Sequence, residues 1–131
     1  MAASDPISDF LTVLRNASRA KKEKFTIGSS KMLERICAIL KAENYIEDFK
    51  VAEEGKKKYL RVHLKYEGNE PVIRRLERIS KPGLRRYIGS TDIKSVLGGF
   101  GISILSTPRG LLTNNKAKEQ KVGGELLLKV W

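Results

Sequence analysis

One cysteine, Cys37, and one histidine, His63, are all that this chain of 131 residues offers of either type. A lone cysteine excludes an internal disulfide and suits a reducing compartment. A lone histidine without cysteine or carboxylate partners at ligand spacing excludes the common metal centres. Catalytic sets are equally scarce. Cys37 falls in the apolar stripe of a helix and His63 on the polar face of a strand, so no Cys–His pair forms, and no nucleophile elbow surrounds a serine. Gly98-Gly99-Phe100-Gly101 lacks the third glycine of a dinucleotide loop, since position 104 is isoleucine, and no phosphate-loop lysine follows a glycine at the required spacing. No apolar run approaches the ~20 residues of a membrane span. The start, Met1-Ala2-Ala3-Ser4-Asp5-Pro6, has no basic segment followed by an apolar one, as a secretory signal would. These absences predict a soluble intracellular protein that is not an enzyme, with no metal, cofactor, membrane or small-molecule substrate.

Negative charge is short in one half of the chain. The 26 Lys and Arg residues outnumber 15 Asp and Glu, for a net charge of +11. Residues 1–70 hold 14 basic and 11 acidic side chains, whereas residues 71–131 hold 12 and 4. A polyanion should therefore meet mainly the second half. The length allows one domain or two small ones, and a hydrophobic content of 40% suffices for a core.

Asp5-Pro6 reads as a helix start, and Ile7, Phe10, Leu11 and Leu14 follow at helical spacing. Arg15, Arg19, Lys21 and Lys22 gather at that helix's C-terminal end, either as a solvated terminus or as an RNA contact. Phe25-Thr26-Ile27 is β-prone. Ser29 or Ser30 can cap a second helix whose buried face carries Leu33, Ile36, Cys37 and Leu40, with Asn44 ending it. An extended segment over 46–51 and a polar turn over 53–58 lead to a strand in which Leu60, Val62, Leu64 and Tyr66 alternate with polar residues. Gly68-Asn69-Glu70-Pro71 is the best boundary, which divides the chain into 1–70 and 71–131. Beyond it, Val72 to Ile79 fits helix or strand. Lys81-Pro82-Gly83 is a turn, 84–88 is extended, and 91–97 reads as a short helix ended by Gly98-Gly99. A strand over 102–105, a short helix over 114–120 and a strand over 125–131 close the chain. The fold class is α+β, with two small packed α/β subdomains. The first runs α-β-α-β-β, and the second is β-rich with short helices.

Two features suit nucleic acid. Arg74, Arg75, Arg78, Lys81, Arg85 and Arg86 concentrate positive charge; neutralising ~6 phosphates would give a salt slope of about −4 to −5 in log K against log salt. Ser106-Thr107-Pro108-Arg109-Gly110 then combines two hydroxyls, a guanidinium and a glycine. Hydroxyls both donate and accept, which suits base edges and 2′-hydroxyls in the shallow groove of A-form RNA. Pro108 restricts the loop, Gly110 permits close backbone approach, and Arg109 can stack or fork onto phosphate. Taken alone, such a loop also fits an ordinary β-turn.

In sequence order, Asp5-Pro6-Ile7 with Leu14-Arg15-Asn16-Ala17, Ile79 to Arg85, Ser106 to Gly110, and Gly123-Gly124-Glu125 resemble the bacterial-type S-eight family of small-subunit ribosomal proteins. The blocks span almost the whole chain. The resemblance implies a structural constituent of the small ribosomal subunit that binds the central domain of 16S rRNA and supports 30S assembly beside neighbouring small-subunit proteins. It implies a bacterial-type ribosome, whether in a bacterial cytoplasm or in an organelle. Ser106, Thr107 and Gly110 match the family's RNA-facing loop, and Gly123, Gly124 and Glu125 match the neighbouring turn. There Glu125 accepts from a base amine or holds the loop. The family's loop often has serine at Pro108 and lysine at Arg109, and it often has aspartate at Asn114. Lys81, Arg85, Arg86 and Tyr87 join the site as a basic block with an aromatic that stacks or packs. Arg15, Asn16, Ser30 and Lys31 are secondary contacts. Two other functions fit an RNA binder. One is a regulatory protein repressing an mRNA that mimics the rRNA helix. The other is a small RNA-acting enzyme, which would need an acid–base pair where only Glu77, Asp92, Glu119 and Glu125 are acidic.

Overall fold

A computed structural model describes residues 5–131. Contacts divide them into two compact units, Pro6–Arg74 and Asp5 with Arg75–Trp131.

The first unit opens with α1 (Pro6–Arg19), which buries Ile7, Phe10, Leu11, Leu14 and Ala17 along one stripe. Strand β1 (Lys24–Gly28) leads to α2 (Lys31–Ala42), where Ser30 Oγ accepts from Leu33 N–H at 3.2 Å and so caps the first turn. Asn44 leaves α2 with φ +66°, a conformation asparagine tolerates better than most residues. Strands β2 (Ile46–Glu54) and β3 (Lys57–Leu64) form a hairpin, and β1 pairs antiparallel to β3 on its other side. Leu60, Val62 and Leu64 are buried, as alternation requires. Residues 68–71 belong to a short ribbon of β4 (Tyr66–Glu67) and β5 (Glu70–Pro71).

The second unit is organised by its last strand. Strands β6 (Leu76–Arg78), β7 (Tyr87–Ile88), β8 (Ile102–Thr107) and β9 (Gly110–Thr113) precede helix α3 (Asn114–Glu119) and β10 (Gly124–Val130). The order is β6-β10-β8-β9, and β7 also pairs with β10, so β10 touches three strands. Leu105, Ile93 and Ala117 make a core flanked by Ile88, Leu112, Val122 and Leu126. The described residues are thus α+β, with three helices set among antiparallel strands.

The helix expected over 91–97 is absent. A single 3-10 turn spans Ser90–Asp92, Ile93 and Val96 have extended backbone, and a second turn, Leu97–Gly99, carries left-handed backbone. Ile93 and Val96 are buried at a helix-like spacing without a helix. The segment finds its hydrogen bonds elsewhere: Asn114 Nδ2 donates to the Lys94 carbonyl at 3.3 Å while its Oδ1 accepts from Ser103 N–H at 3.2 Å. An aspartate at 114 would lack that donor. The extended segment expected over 84–88 is strand only at Tyr87–Ile88.

Candidate nucleic-acid interface

The start of β10 gathers three sequence blocks. Glu125 stands opposite Ser106 of β8 on one side and opposite Tyr87 of β7 on the other. Directly opposed residues project to the same face of a sheet, so Tyr87, Glu125 and Ser106 form one cross-strand row. The opposite face carries Leu105, Leu112 and Leu126 toward the core.

Two glycines permit this closeness. A Cβ at Gly124 would collide with the Ser106 carbonyl oxygen and stand 2.9 Å from the Ser106 carbonyl carbon. A Cβ at Gly123 would collide with the Ile88 carbonyl oxygen and lie 2.9 Å from Ser90 N. These neighbours are backbone and cannot swing aside, so the turn is glycine for steric reasons.

The Ser106–Gly110 block is the end of a hairpin. Ser106 and Thr107 finish β8, Pro108 and Arg109 are the two loop residues, and Gly110 starts β9 with φ +99°. Pro108 takes the first loop position, where its fixed φ suits the turn. The two hydroxyls differ. Thr107 Oγ1 donates to the Gly110 carbonyl at 2.8 Å and accepts from Arg109 N–H at 3.1 Å, so it shapes the turn. Ser106 Oγ forms no hydrogen bond among the described residues and is half-buried on the open row. Pro108 and Arg109 are exposed.

The third block folds around a residue that sequence reasoning passed over. Ser80 is fully buried; its Oγ donates to Glu125 Oε2 at 2.6 Å and accepts from Arg86 N–H at 3.0 Å. Reciprocal backbone bonds between Lys81 and Leu84 close the Pro82-Gly83 turn. Arg85 Nη1 donates to the same Glu125 oxygen at 2.8 Å. Burial by itself would raise the Glu125 pKa, but the Ser80 and Arg85 hydrogen bonds, with the charges of Arg85 and Arg78, outweigh it and hold the carboxyl below its usual range. Glu125 therefore holds the loop in this structure, one of the two roles its position suggested. The only signal for Ser80 was its place in the block from Ile79 to Arg85, because burial is not written in composition.

The loop borders an open cleft of about 720 Å³ lined by Lys81, Leu84, Arg85, Arg86, Tyr87 and Lys129 among others. Tyr87 is 73% exposed, so its ring is presented and not packed. The six cations of the basic run divide by environment. Arg78, only 9% exposed, pairs with Asp5 at 3.3 Å and donates to the Leu127 carbonyl at 2.8 Å. Arg75 lies over the Trp131 ring at 5.9 Å, and Arg74 pairs with Glu70 at 3.6 Å. Lys81 and Arg86, together with Arg109 of the hairpin, are exposed and form no ion pair among the described residues.

Arg15, Asn16, Ser30 and Lys31 lie in the first unit. Arg15 is half-buried on α1 and Asn16 exposed; Ser30 is the α2 cap and Lys31 its exposed first residue. Cys37 is buried, and burial with the nearby Glu34 charge pushes its thiol pKa up to about 12, which leaves it unreactive. His63 is half-buried on β3, and no group of three or more His, Cys, Asp or Glu fit to hold a metal occurs among the described residues. No described helix is long and apolar enough to cross a membrane.

Comparison with known proteins bears on this arrangement. The profile of the family described as Ribosomal protein S8 matches residues 5–131. The small ribosomal subunit protein uS8 of Solibacter usitatus is 53% identical over 129 residues, covering 98% of each chain. Those of Acidobacterium capsulatum and Cupriavidus metallidurans are 50% and 51% identical, covering 100% and 97% of both chains. With the family's profile matched from residue 5 to the last and about half of all positions shared end to end, this chain belongs to the Ribosomal protein S8 family.

Proposed function

We propose that the protein binds the central domain of 16S rRNA with the Glu125 end of its second-unit sheet, and so fixes an RNA conformation during 30S assembly. Its family role is structural and non-enzymatic, in the small ribosomal subunit. The observation that carries the finer reading is the Tyr87–Glu125–Ser106 row: three blocks far apart in sequence converge there, beside exposed Lys81, Arg86 and Arg109.

The row divides the labour. Lys81, Arg86 and Arg109 take phosphates, which gives capture and register but no sequence information. The free Ser106 hydroxyl reads a base edge or a 2′-hydroxyl, and the Tyr87 ring offers a stacking surface for an unpaired base. Thr107, Pro108 and Gly110 set the hairpin's shape; Ser80, Glu125 and Arg85 set that of the loop from Ile79 to Tyr87. Gly123 and Gly124 let the two meet. Arg15, Asn16, Ser30 and Lys31 make secondary contacts from the first unit. The curated relatives above are bacterial, and the proposed setting is the cytoplasmic ribosome beside other small-subunit proteins.

Titration of the protein against central-domain 16S RNA and a scrambled RNA of equal length, at two salt concentrations, tests this. A preference of ~10³ or more should persist at the higher salt, since phosphate contacts alone do not supply it. Ser106→Ala should weaken the specific complex about 2–10-fold, the worth of one neutral hydrogen bond, with the salt slope unchanged. Arg86→Ala should reduce the slope by about 1 on both RNAs. Equal binding of both RNAs by the wild-type protein would defeat the proposal.

A further inference from the structure

The Tyr87–Glu125–Ser106 row uses one face of the second-unit sheet. On the other face Ser103 of β8 stands directly opposite Lys129 of β10, and Leu105 opposite Leu126. Segment 92–96 walls a slot of about 200 Å³ against that face, and Ile88, Ile93, Val96, Leu105 and Leu126 give it an apolar lining. Ile88, Leu126 and Lys129 also line the open cleft of about 720 Å³, so the small apolar slot and the large basic cleft adjoin.

Two groups at this junction have unused capacity. Ser103 is only 3% exposed; its N–H is bonded to Asn114 Oδ1, but its hydroxyl forms no hydrogen bond among the described residues. A buried hydroxyl left unpaired carries a desolvation cost that a polar ligand atom in the slot would relieve. Lys129 forms no ion pair among the described residues, although Glu77 of β6 stands opposite it. Around the cleft, Lys81 and Arg86 are exposed and unpaired in the same sense, and Arg85, held by Glu125, adds a half-exposed guanidinium.

The two compartments call for two chemistries in one ligand. A slot of about 200 Å³ lies below the ~300–1,000 Å³ of drug-sized pockets, so it takes a planar base and little more. The cleft takes several negative charges, and phosphates match both lysine and arginine donors. A fatty anion would bring one carboxylate to a place where Lys81, Arg85, Arg86 and Lys129 gather. Asp92, the only acid lining the slot, accepts from base amino groups and repels a bare phosphate, which fixes the direction of entry.

We propose that the joined slot and cleft bind a nucleoside polyphosphate, with the base in the slot against Ser103 and the phosphates in the cleft against Lys129, Lys81 and Arg86. The binding goes beyond the ribosomal RNA reading and does not depend on it. Its consequence, competition with RNA for Lys81 and Arg86, rests on that reading.

Calorimetric titration of the full chain with ATP and with GTP, beside inorganic tripolyphosphate, tests the site. At least one nucleotide should bind ~10-fold or more tightly than tripolyphosphate, which supplies the charge without the base. That nucleotide should shift the backbone amide NMR signals of Ile93, Val96 and Ser103, and tripolyphosphate should not. Ser103→Ala removes a hydroxyl that the fold does not use. It should keep the wild-type Tm, weaken the nucleotide about 2–10-fold and leave tripolyphosphate unchanged. Lys129→Gln should weaken both by about 10-fold, with Lys129→Arg restoring most of the loss, and should change affinity for isolated central-domain RNA by less than about 2-fold. Equal affinity for nucleotide and tripolyphosphate, or no effect of Ser103→Ala on the nucleotide, would reduce the site to an adventitious anion on a basic surface and overturn the proposal. A chain that prefers central-domain RNA yet binds neither nucleotide would also overturn it while leaving the RNA reading intact. A chain that binds nucleotide but shows no RNA preference would uphold the site and defeat the RNA reading.

Discussion

Ser80→Ala should damage this protein more than the size of the change suggests. The hydroxyl is fully buried and serves both neighbours at once, donating to the Glu125 carboxylate at 2.6 Å and accepting from Arg86 N–H at 3.0 Å. Losing a hydrogen bond to a charged, mostly buried acceptor costs about 1.5–3 kcal/mol, and an unsatisfied backbone donor adds about 1 kcal/mol. The half-exposed Arg85 partner remains and recovers little, because exposed ion pairs are worth about 0–1 kcal/mol. A loss of about 2–4 kcal/mol at pH 7 is expected, measured by urea unfolding followed through Trp131, the only tryptophan and a member of the same unit. The pH dependence has a defined sign. Glu125 is held below its ordinary value of 4.5 in the fold, so its contribution is complete above that pH and is lost as the pH falls through the lower folded value. Ser80→Ala relaxes that depression. The gap between wild type and variant should therefore be widest above pH 4.5 and narrow below it, leaving the share that belongs to Arg86 N–H. A loss under ~0.5 kcal/mol at pH 7, within the range of an inert surface change, would refute the role of Ser80 as the hub of this loop.

Gly124→Ala should cost about 1–3 kcal/mol or more, because the added Cβ meets the Ser106 backbone and must part β10 from β8. RNA affinity should fall with it, and a variant of wild-type stability in the same unfolding assay would contradict the steric argument. Ser18→Ala acts in the opposite direction. Ser18 Oγ is buried on α1 without a hydrogen-bond partner among the described residues, so removing it should stabilise the first unit by about 1 kcal/mol, with a small helix-propensity gain. Thermal unfolding checks this; a lower Tm would mean that the hydroxyl is satisfied.

Local pattern carried much of the fold. The apolar stripes of α1 and α2, the Ser30 cap, the alternation of β3 and the Pro82-Gly83 turn are each set by residues within a few positions of one another. Residues 91–97 show where that logic stops. Ile93 and Val96 have helical spacing, yet their segment is held extended by Asn114, which lies some twenty residues further along. Spacing alone does not distinguish a helix face from an irregular strap that buries two side chains.

The candidate interface divides in the same way. Its inventory is legible in the amino-acid order: hydroxyls at Ser106 and Thr107, cations at Lys81, Arg85, Arg86 and Arg109, glycines at Gly123 and Gly124, and an excess of positive charge in the second half. Which of these face outward depends on how the strands pair and what the fold buries. Register placed Glu125 between Tyr87 and Ser106, and a buried Ser80, 45 positions away, claimed its carboxylate. Thr107 spent its hydroxyl on its own turn while Ser106 kept its own open. The reason is physical: each polar group has few hydrogen bonds to give, and the neighbours that claim them are fixed by strand pairing across the fold, which no local pattern encodes.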